Sequence, residues 1–276
     1  MPKAGPASAL SRRSALALAL AGGAAAIASP AWAVGAVKHY ILVELLPGYD
    51  QLILDRWYMT FHSQQVRRAF KAWQRNYISF RAYLPPAEAT ARYPIQYGRM
   101  TEIQFDSLAD FRETRPHNIY GGLESFTPPP GGWQDQKLFK AVTATIPVNP
   151  NELFVSLDTP PKEIPYFRWI IFFKYPKGMT EEAGDAWYRN VHAEEMAKVP
   201  GLKRYGLYKA VTETAPYPRV AELWFDDYAS WKKAFLPAPK FTPPPSGGAF
   251  PFFETISMFV GENPDVDFVN DKRSIP

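Results

Sequence analysis

The chain has 276 residues, 46% hydrophobic and 21% charged, which supplies enough apolar side chains for a core and excludes a wholly disordered chain. It has no cysteine, so disulfides, thiol nucleophiles and cysteine-bound metals are excluded. The net charge of +4 falls to about +1 without residues 1–33, which carry Lys3, Arg12 and Arg13 and no acid; with no Lys/Arg block elsewhere, a nucleic-acid partner is not expected.

Residues 1–33 read as an export signal. A basic start leads into an Ala/Leu-rich stretch from Ala15 to Ala26, and Ala31-Trp32-Ala33 places small residues where a signal peptidase reads. Ser11-Arg12-Arg13 resembles a twin-arginine signal, with Ala15 where that signal usually has Phe or Leu. The expectation is a periplasmic or secreted protein cleaved after Ala33. The apolar stretch is short and interrupted by Gly22 and Gly23, and no later run is long and apolar enough, so no stable membrane span is expected.

The next element is a strand, Tyr40–Leu46, β-rich and apolar on both faces, stopped by Pro47-Gly48. A helix is expected near 50–72, strands near 76–83 and 98–106, a short helix capped by Asp106, a Pro-rich loop, and a last strand near 137–146. A Pro- and Asn-containing linker, 147–164, follows. The same series then recurs: a strand at Trp169–Phe173, a helix near 180–198, strands near 202–210 and 217–225, a short helix capped by Asp226, and a strand near 252–260.

The recurrence is an internal repeat. Trp57-Tyr58 and His62 match Trp187-Tyr188 and His192 at an offset of 130, and Glu102 to Asp106 match Glu222 to Asp226 at 120. Phe126-Thr127-Pro128-Pro129-Pro130 matches Phe241-Thr242-Pro243-Pro244-Pro245 at 115, and Asn149-Pro150 matches Asn263-Pro264 at 114. The shrinking offsets place extra loop residues in copy one. Strand, helix, strand, strand, helix, strand is the ferredoxin-like order. The fold class is therefore α+β: two tandem ferredoxin-like units, 34–146 and 165–276, forming a dimeric α/β-barrel-type arrangement. A homo-oligomer stays open.

Trp187-Tyr188-x-x-x-His192-Ala193, followed by Val199-Pro200-Gly201-Leu202-Lys203-Arg204-Tyr205, looks like the EthD-like branch of the dimeric α/β-barrel superfamily. Copy two carries the resemblance over most of its length; copy one keeps Trp57-Tyr58 and His62 but not the Pro-Gly-Leu turn. The resemblance implies a pocket for a small molecule and, within a superfamily of cofactor-free isomerases, cyclases, lyases and monooxygenases, no single reaction.

The candidate catalytic residues are the two Tyr-x-x-x-His pairs, Tyr188 with His192 and Tyr58 with His62. Residues at i and i+4 share a helix face, which sets a phenol and an imidazole side by side on the stripes Leu54, Tyr58, His62, Val66 and Gly184, Tyr188, His192, Met196. Such a His can accept and return a proton, and the Tyr can hold a hydroxyl or carbonyl. Candidate binding residues are Trp57 and Trp187 beside them, Glu102 and Glu222 on the third strands, and His39 at the start of strand one, whose match in copy two is Arg168. Glu195 and the loop residue His117 read as solvated, and the Thr-Pro-Pro-Pro loops as rigid turns. The chain lacks His-x-His and His-x-x-x-His spacings, so no metal site is expected. The leading expectation is a cofactor-independent lyase, isomerase or cyclase acting on a small hydrophobic, aromatic or polyketide-like partner molecule. A non-catalytic binding protein for aromatic ligands is the first rival. A haem protein resembling peroxidases or chlorite dismutases is the second, since one His suffices as a haem ligand.

Overall fold

The computed structural model describes residues 35–114, 126–133, 137–157, 165–212, 215–237 and 239–267. The export segment, His117 and the second half of the expected linker lie outside the described residues.

Copy one opens with β1 (Val37–Leu45), where β-branched and aromatic side chains alternate between two buried faces. Gly48, at φ 87°, turns the chain. Asp50 then caps α1 (Gln51–Trp57), its side chain accepting from the Leu52 amide at 2.8 Å. The helix continues through a π turn (Tyr58–His62) into α2 (Ser63–Phe70). Next come β2 (Gln74–Arg81), α3 (Ala87–Thr90), β3 (Ile95–Gln96), β4 (Gly98–Phe105), α4 (Leu108–Glu113), β5 (Phe139–Pro147) and β6 (Glu152–Val155). Copy two runs through β7 (Phe167–Lys174), α5 (Glu181–Trp187), a second π turn (Tyr188–His192), α6 (Ala193–Met196), β8 (Leu202–Lys209), β9 (Arg219–Phe225), α7 (Tyr228–Phe235), β10 (Glu254–Gly261) and β11 (Val266–Asp267). The short helices are capped by Ser107 and Asp227, each one residue beyond the expected Asp106 and Asp226.

The strands form two sheets, ordered β11-β2-β4-β1-β5 and β3-β10-β7-β9-β8-β6. The four main strands of each copy stand in the order fourth, first, third, second, all antiparallel, which is the ferredoxin-like sheet. One face of each sheet packs on its own helices. The other faces meet each other over a core that includes Tyr40, Leu42, Met100, Ile170, Phe172 and Met258. The sheet edges also touch: Ala82 bridges Val260, and the Val211 amide donates to the Thr145 carbonyl at 2.8 Å. The result is the dimeric α/β-barrel arrangement within one chain.

The copies also exchange strands. The extra residues of copy one between β2 and β4 cross over, and β3 pairs parallel to β10 of copy two. The expected linker contributes β6, an edge strand on β8, and β11 returns from copy two to pair with β2. Both tails leave at the matched Asn-Pro pairs, so the repeat extends to its exchanged ends. No helix of the described residues is long and apolar enough to cross a membrane.

β4 starts at Gly98 because nothing larger fits. An added Cβ would lie 2.1 Å from the Val43 carbonyl oxygen, a backbone atom that cannot swing away. Gly98→Ala is expected to cost about 3 kcal/mol, measured as a shift in urea midpoint at unchanged m-value.

Candidate functional site

Both Tyr-x-x-x-His pairs span the π turns. The Ser63 amide bonds back to the Tyr58 carbonyl and the Ala193 amide to that of Tyr188, so each pair frames one i→i+5 turn rather than an α-helical one. The stripes are buried as their spacing predicts. The Tyr58 and His62 rings lie 4.9 Å apart and the Tyr188 and His192 rings 5.1 Å apart. Each imidazole stacks on the preceding Trp: His62 on Trp57 at 4.7 Å, His192 on Trp187 at 5.2 Å. The Nδ1 atom of each is buried with no hydrogen-bond partner among the described residues. Burial lowers both imidazoles to about 4, with Glu195 opposing weakly at His192. Both are therefore neutral at physiological pH.

In copy one the space between helix and sheet is open. A cavity of about 330 Å³, within the range of small-molecule sites, is lined by His39, His62, Tyr77, Phe111 and the hydroxyl-bearing Thr143 and Thr145, with apolar side chains between. His39 Nδ1 meets Thr145 Oγ1 at 2.8 Å. Thr212, Ala215 and Pro216, from the loop between β8 and β9, border it, so copy two completes the site. None of its described lining residues is charged.

The expected roles are redistributed here. Tyr58 does not line the cavity; its hydroxyl bonds to Thr101, and burial raises its pKa. The aromatic ring from the second strand that lines the cavity is Tyr77, which the sequence pattern did not single out; its match, Tyr205, donates to the Tyr188 hydroxyl. Trp57 also lies outside the lining, backing His62 and donating from Nε1 to the Thr127 carbonyl at 3.1 Å. The Thr-Pro-Pro-Pro loops are fastened to the helices: the Thr127 amide donates to Gln65 Oε1 at 3.0 Å, and that of Thr242 to Glu195 Oε2 at 2.8 Å. Glu195 is thus a clamp, not a merely solvated helix residue.

In copy two the corresponding space is filled. Only about 30 Å³ remains beside Tyr188 and His192, the room of about one water molecule. The strand register explains this. His39 stands opposite Ile103, and Trp169 opposite Leu223, its match, so the counterpart of His39 is Trp169. By the same register Thr145, opposite His39, corresponds to Phe259, opposite Trp169. Phe111 corresponds to Trp231, each four residues past its cap. Copy two places larger rings at these positions, and Tyr93 from the crossing segment completes the filling.

Arg168 is consequently not the counterpart of His39. It matches Lys38, one residue earlier, and a one-residue slip in a strand moves the side chain to the opposite face. Lys38 and Arg168 face the interior between the sheets, where they meet Glu222. The Glu222 carboxylate accepts from Arg168 Nε at 3.0 Å, Trp224 Nε1 at 2.7 Å and the Tyr208 hydroxyl at 3.0 Å, with Arg204 at 3.5 Å and Lys38 at 4.0 Å. Burial alone would raise this carboxyl; Arg168, Lys38 and Arg204 overcome that and hold it far below the usual range. Glu102 shares that interior face, bonded to Gln104. Neither glutamate lines either of the two cavities described above.

A second matched pair was legible but overlooked. Arg99 and Arg219, each three residues before the matched Glu, are buried against Asp55 (2.6 Å) and Asp185 (2.7 Å), each two residues before the matched Trp. These bonds tie the third strand to the helix that carries Tyr and His. The Arg99 guanidinium lies 5.0 Å from the Tyr58 ring centre.

No family model matches the chain, and no curated protein matches it. Among solved structures, an anthrone oxidase-like protein superposes with a TM-score of 0.49 at 12% identity, over 86% of this chain and 94% of that one. A mutant chlorite dismutase from Candidatus Nitrospira defluvii superposes at 0.43 and 9% identity, over 82% and 91%. The likeness is one of fold. At this distance it carries no chemistry, and strand order and pairing are what define the architecture here.

The described lining of the copy-one cavity does not fit haem. Among the described lining residues of the copy-one cavity there is no Lys or Arg to meet propionate groups, and His62 Nδ1 lacks the acceptor that normally holds a ligating imidazole in place. The described residues contain no group of three or more His, Asp or Glu suited to a metal ion.

Proposed function

We propose that this protein is an exported enzyme of the EthD-like kind that moves a proton on a small, uncharged aromatic or polyketide-like molecule, without a cofactor, in the copy-one cavity. The reaction class is isomerisation, cyclisation or lyase cleavage. One observation supports this reading above others: the cavity brings two imidazoles, a tyrosine ring and threonine hydroxyls around an apolar space with no charged side chain among its described lining. Such a lining favours a neutral ligand, because a carboxylate or phosphate entering it would lose water without gaining a cation.

His62 is the proposed proton acceptor. It is held neutral at physiological pH by burial, so it can take a proton from a bound C–H or O–H group and return it. Trp57 fixes the plane of its ring. His39, oriented by Thr145, is placed to hold a hydroxyl or carbonyl of the ligand, with the Tyr77 ring beside it. The low basicity of His62 favours a second reading, a carrier of aromatic ligands in which the same groups only make hydrogen bonds.

The test begins with mass spectrometry of whatever co-purifies with the exported protein, followed by assay of that compound. His62→Ala and His39→Ala are each expected to lower turnover about 10²- to 10⁴-fold with modest change in binding. A ligand that returns unchanged, with the same variants altering only its affinity, supports the carrier. Full turnover in both variants removes the proposal.

A further inference from the structure

Copy two's counterpart of the cavity is filled by a side chain that does not belong to copy two. Tyr93 arrives on the segment that crosses from copy one, and it is only 2% exposed. Its ring lies edge-on to Trp169 at 5.3 Å and Trp231 at 5.7 Å, with Phe250 at 5.9 Å. Trp169 and Trp231 are the counterparts of His39 and Phe111, which line the copy-one cavity. Its hydroxyl donates to the Phe235 carbonyl at 2.9 Å, on the last residue of α7. The crossing segment is held independently of that ring: β3 pairs with β10, and Glu88 meets Lys232 at 3.0 Å. The corresponding loop of copy two, between β8 and β9, inserts no ring and only borders the copy-one cavity.

We propose that copy two retains a phenol-binding site and that Tyr93 occupies it in cis, leaving each chain one open ligand site, in copy one. The occupant is a phenol on a methylene stem, so p-cresol is its free equivalent. The ring has an aromatic cage and the hydroxyl has a backbone acceptor, the Phe235 carbonyl. Removing the Tyr93 side chain while the segment stays anchored exposes a second site selective for phenols over plain arenes. The inference stands apart from the chemistry proposed for copy one.

The experiment uses the mature chain carrying Thr145→Phe, which places in copy one the side chain that copy two has at Phe259. Tyr93→Ala and Tyr93→Phe are added to it separately, and p-cresol and toluene are titrated by calorimetry against Thr145→Phe alone. The Tyr93→Ala chain is expected to bind one additional p-cresol, about tenfold tighter than toluene because only p-cresol satisfies the Phe235 carbonyl. The Tyr93→Phe chain is expected to bind no additional ligand, since its ring keeps the site shut. No additional p-cresol binding in Tyr93→Ala, equal affinity for toluene, or equal binding in Tyr93→Phe overturns the proposal. If the Tyr93→Ala chain does not fold alone, it is refolded with each compound. Recovery with p-cresol and not toluene supports the site; recovery with neither overturns it. All these outcomes leave the copy-one reading to its own test.

Discussion

Lowering the pH from 7 to 4.5 will destabilise the folded chain by about 5 kcal/mol, through His62 and His192 together. Each imidazole titrates near 6.5 when unfolded and near 4 when folded. The unfolded state therefore binds more protons across that window, and stability falls as pH falls. The contribution is fully present above 6.5 and is lost progressively down to about 4. Asp185, Glu195 and Glu222 also have lowered values, from starting points of 3.8 to 4.5, so most of their acid losses fall below pH 4.5. Urea unfolding at pH 7 and 4.5 measures the difference. Replacing either His by Gln should remove about half of the pH dependence. An unchanged slope in both variants would show that the imidazoles already reach water.

Glu222→Ala should cost about 4 kcal/mol, the largest loss expected from a single side chain here, because it leaves Arg168, Arg204 and Lys38 facing one another in the interior between the sheets. The lone pairs that receive Arg168, Trp224 and Tyr208 disappear with it. Lys38 loses the neighbour that opposes its burial; that burial already lowers its ammonium value. Glu102→Gln, on the matching strand, is expected to cost less than about 1 kcal/mol, since Gln104 is its one direct hydrogen-bond partner described above. Chemical unfolding of both variants at pH 7 separates the cases. Similar small losses would mean that water compensates the Glu222 cluster.

The two copies show how one architecture yields unequal sites. The framework is shared: a Tyr and a His on a π turn, a Trp under the imidazole, and an Arg–Asp bond tying strand to helix. The filling differs. Copy one sets His39 and Thr145 where copy two sets Trp169 and Phe259, and the long loop of copy one adds Tyr93 to the copy-two side. Copy two carries the fuller motif, with the Pro200-Gly201-Leu202 turn after its Trp-Tyr-x-x-x-His run, and the nearly filled space. A motif of contiguous residues thus describes the helix and turn but not the room left between them.

The sequence by itself determined the repeat, the order of its strands and helices, the buried stripes that carry Tyr58, His62, Tyr188 and His192, and the absence of any cysteine chemistry. These are local properties, set by side-chain periodicity, caps and turns within a few residues. The tertiary structure decided which copy is open. That depends on the register of β1 and β7, where one residue separates a cavity-facing from an interior-facing side chain, and so made Trp169 rather than Arg168 the partner of His39. It also depends on a segment brought from the other copy. Cavity volume is the remainder after distant segments pack together, and a small remainder is not written in any one of them.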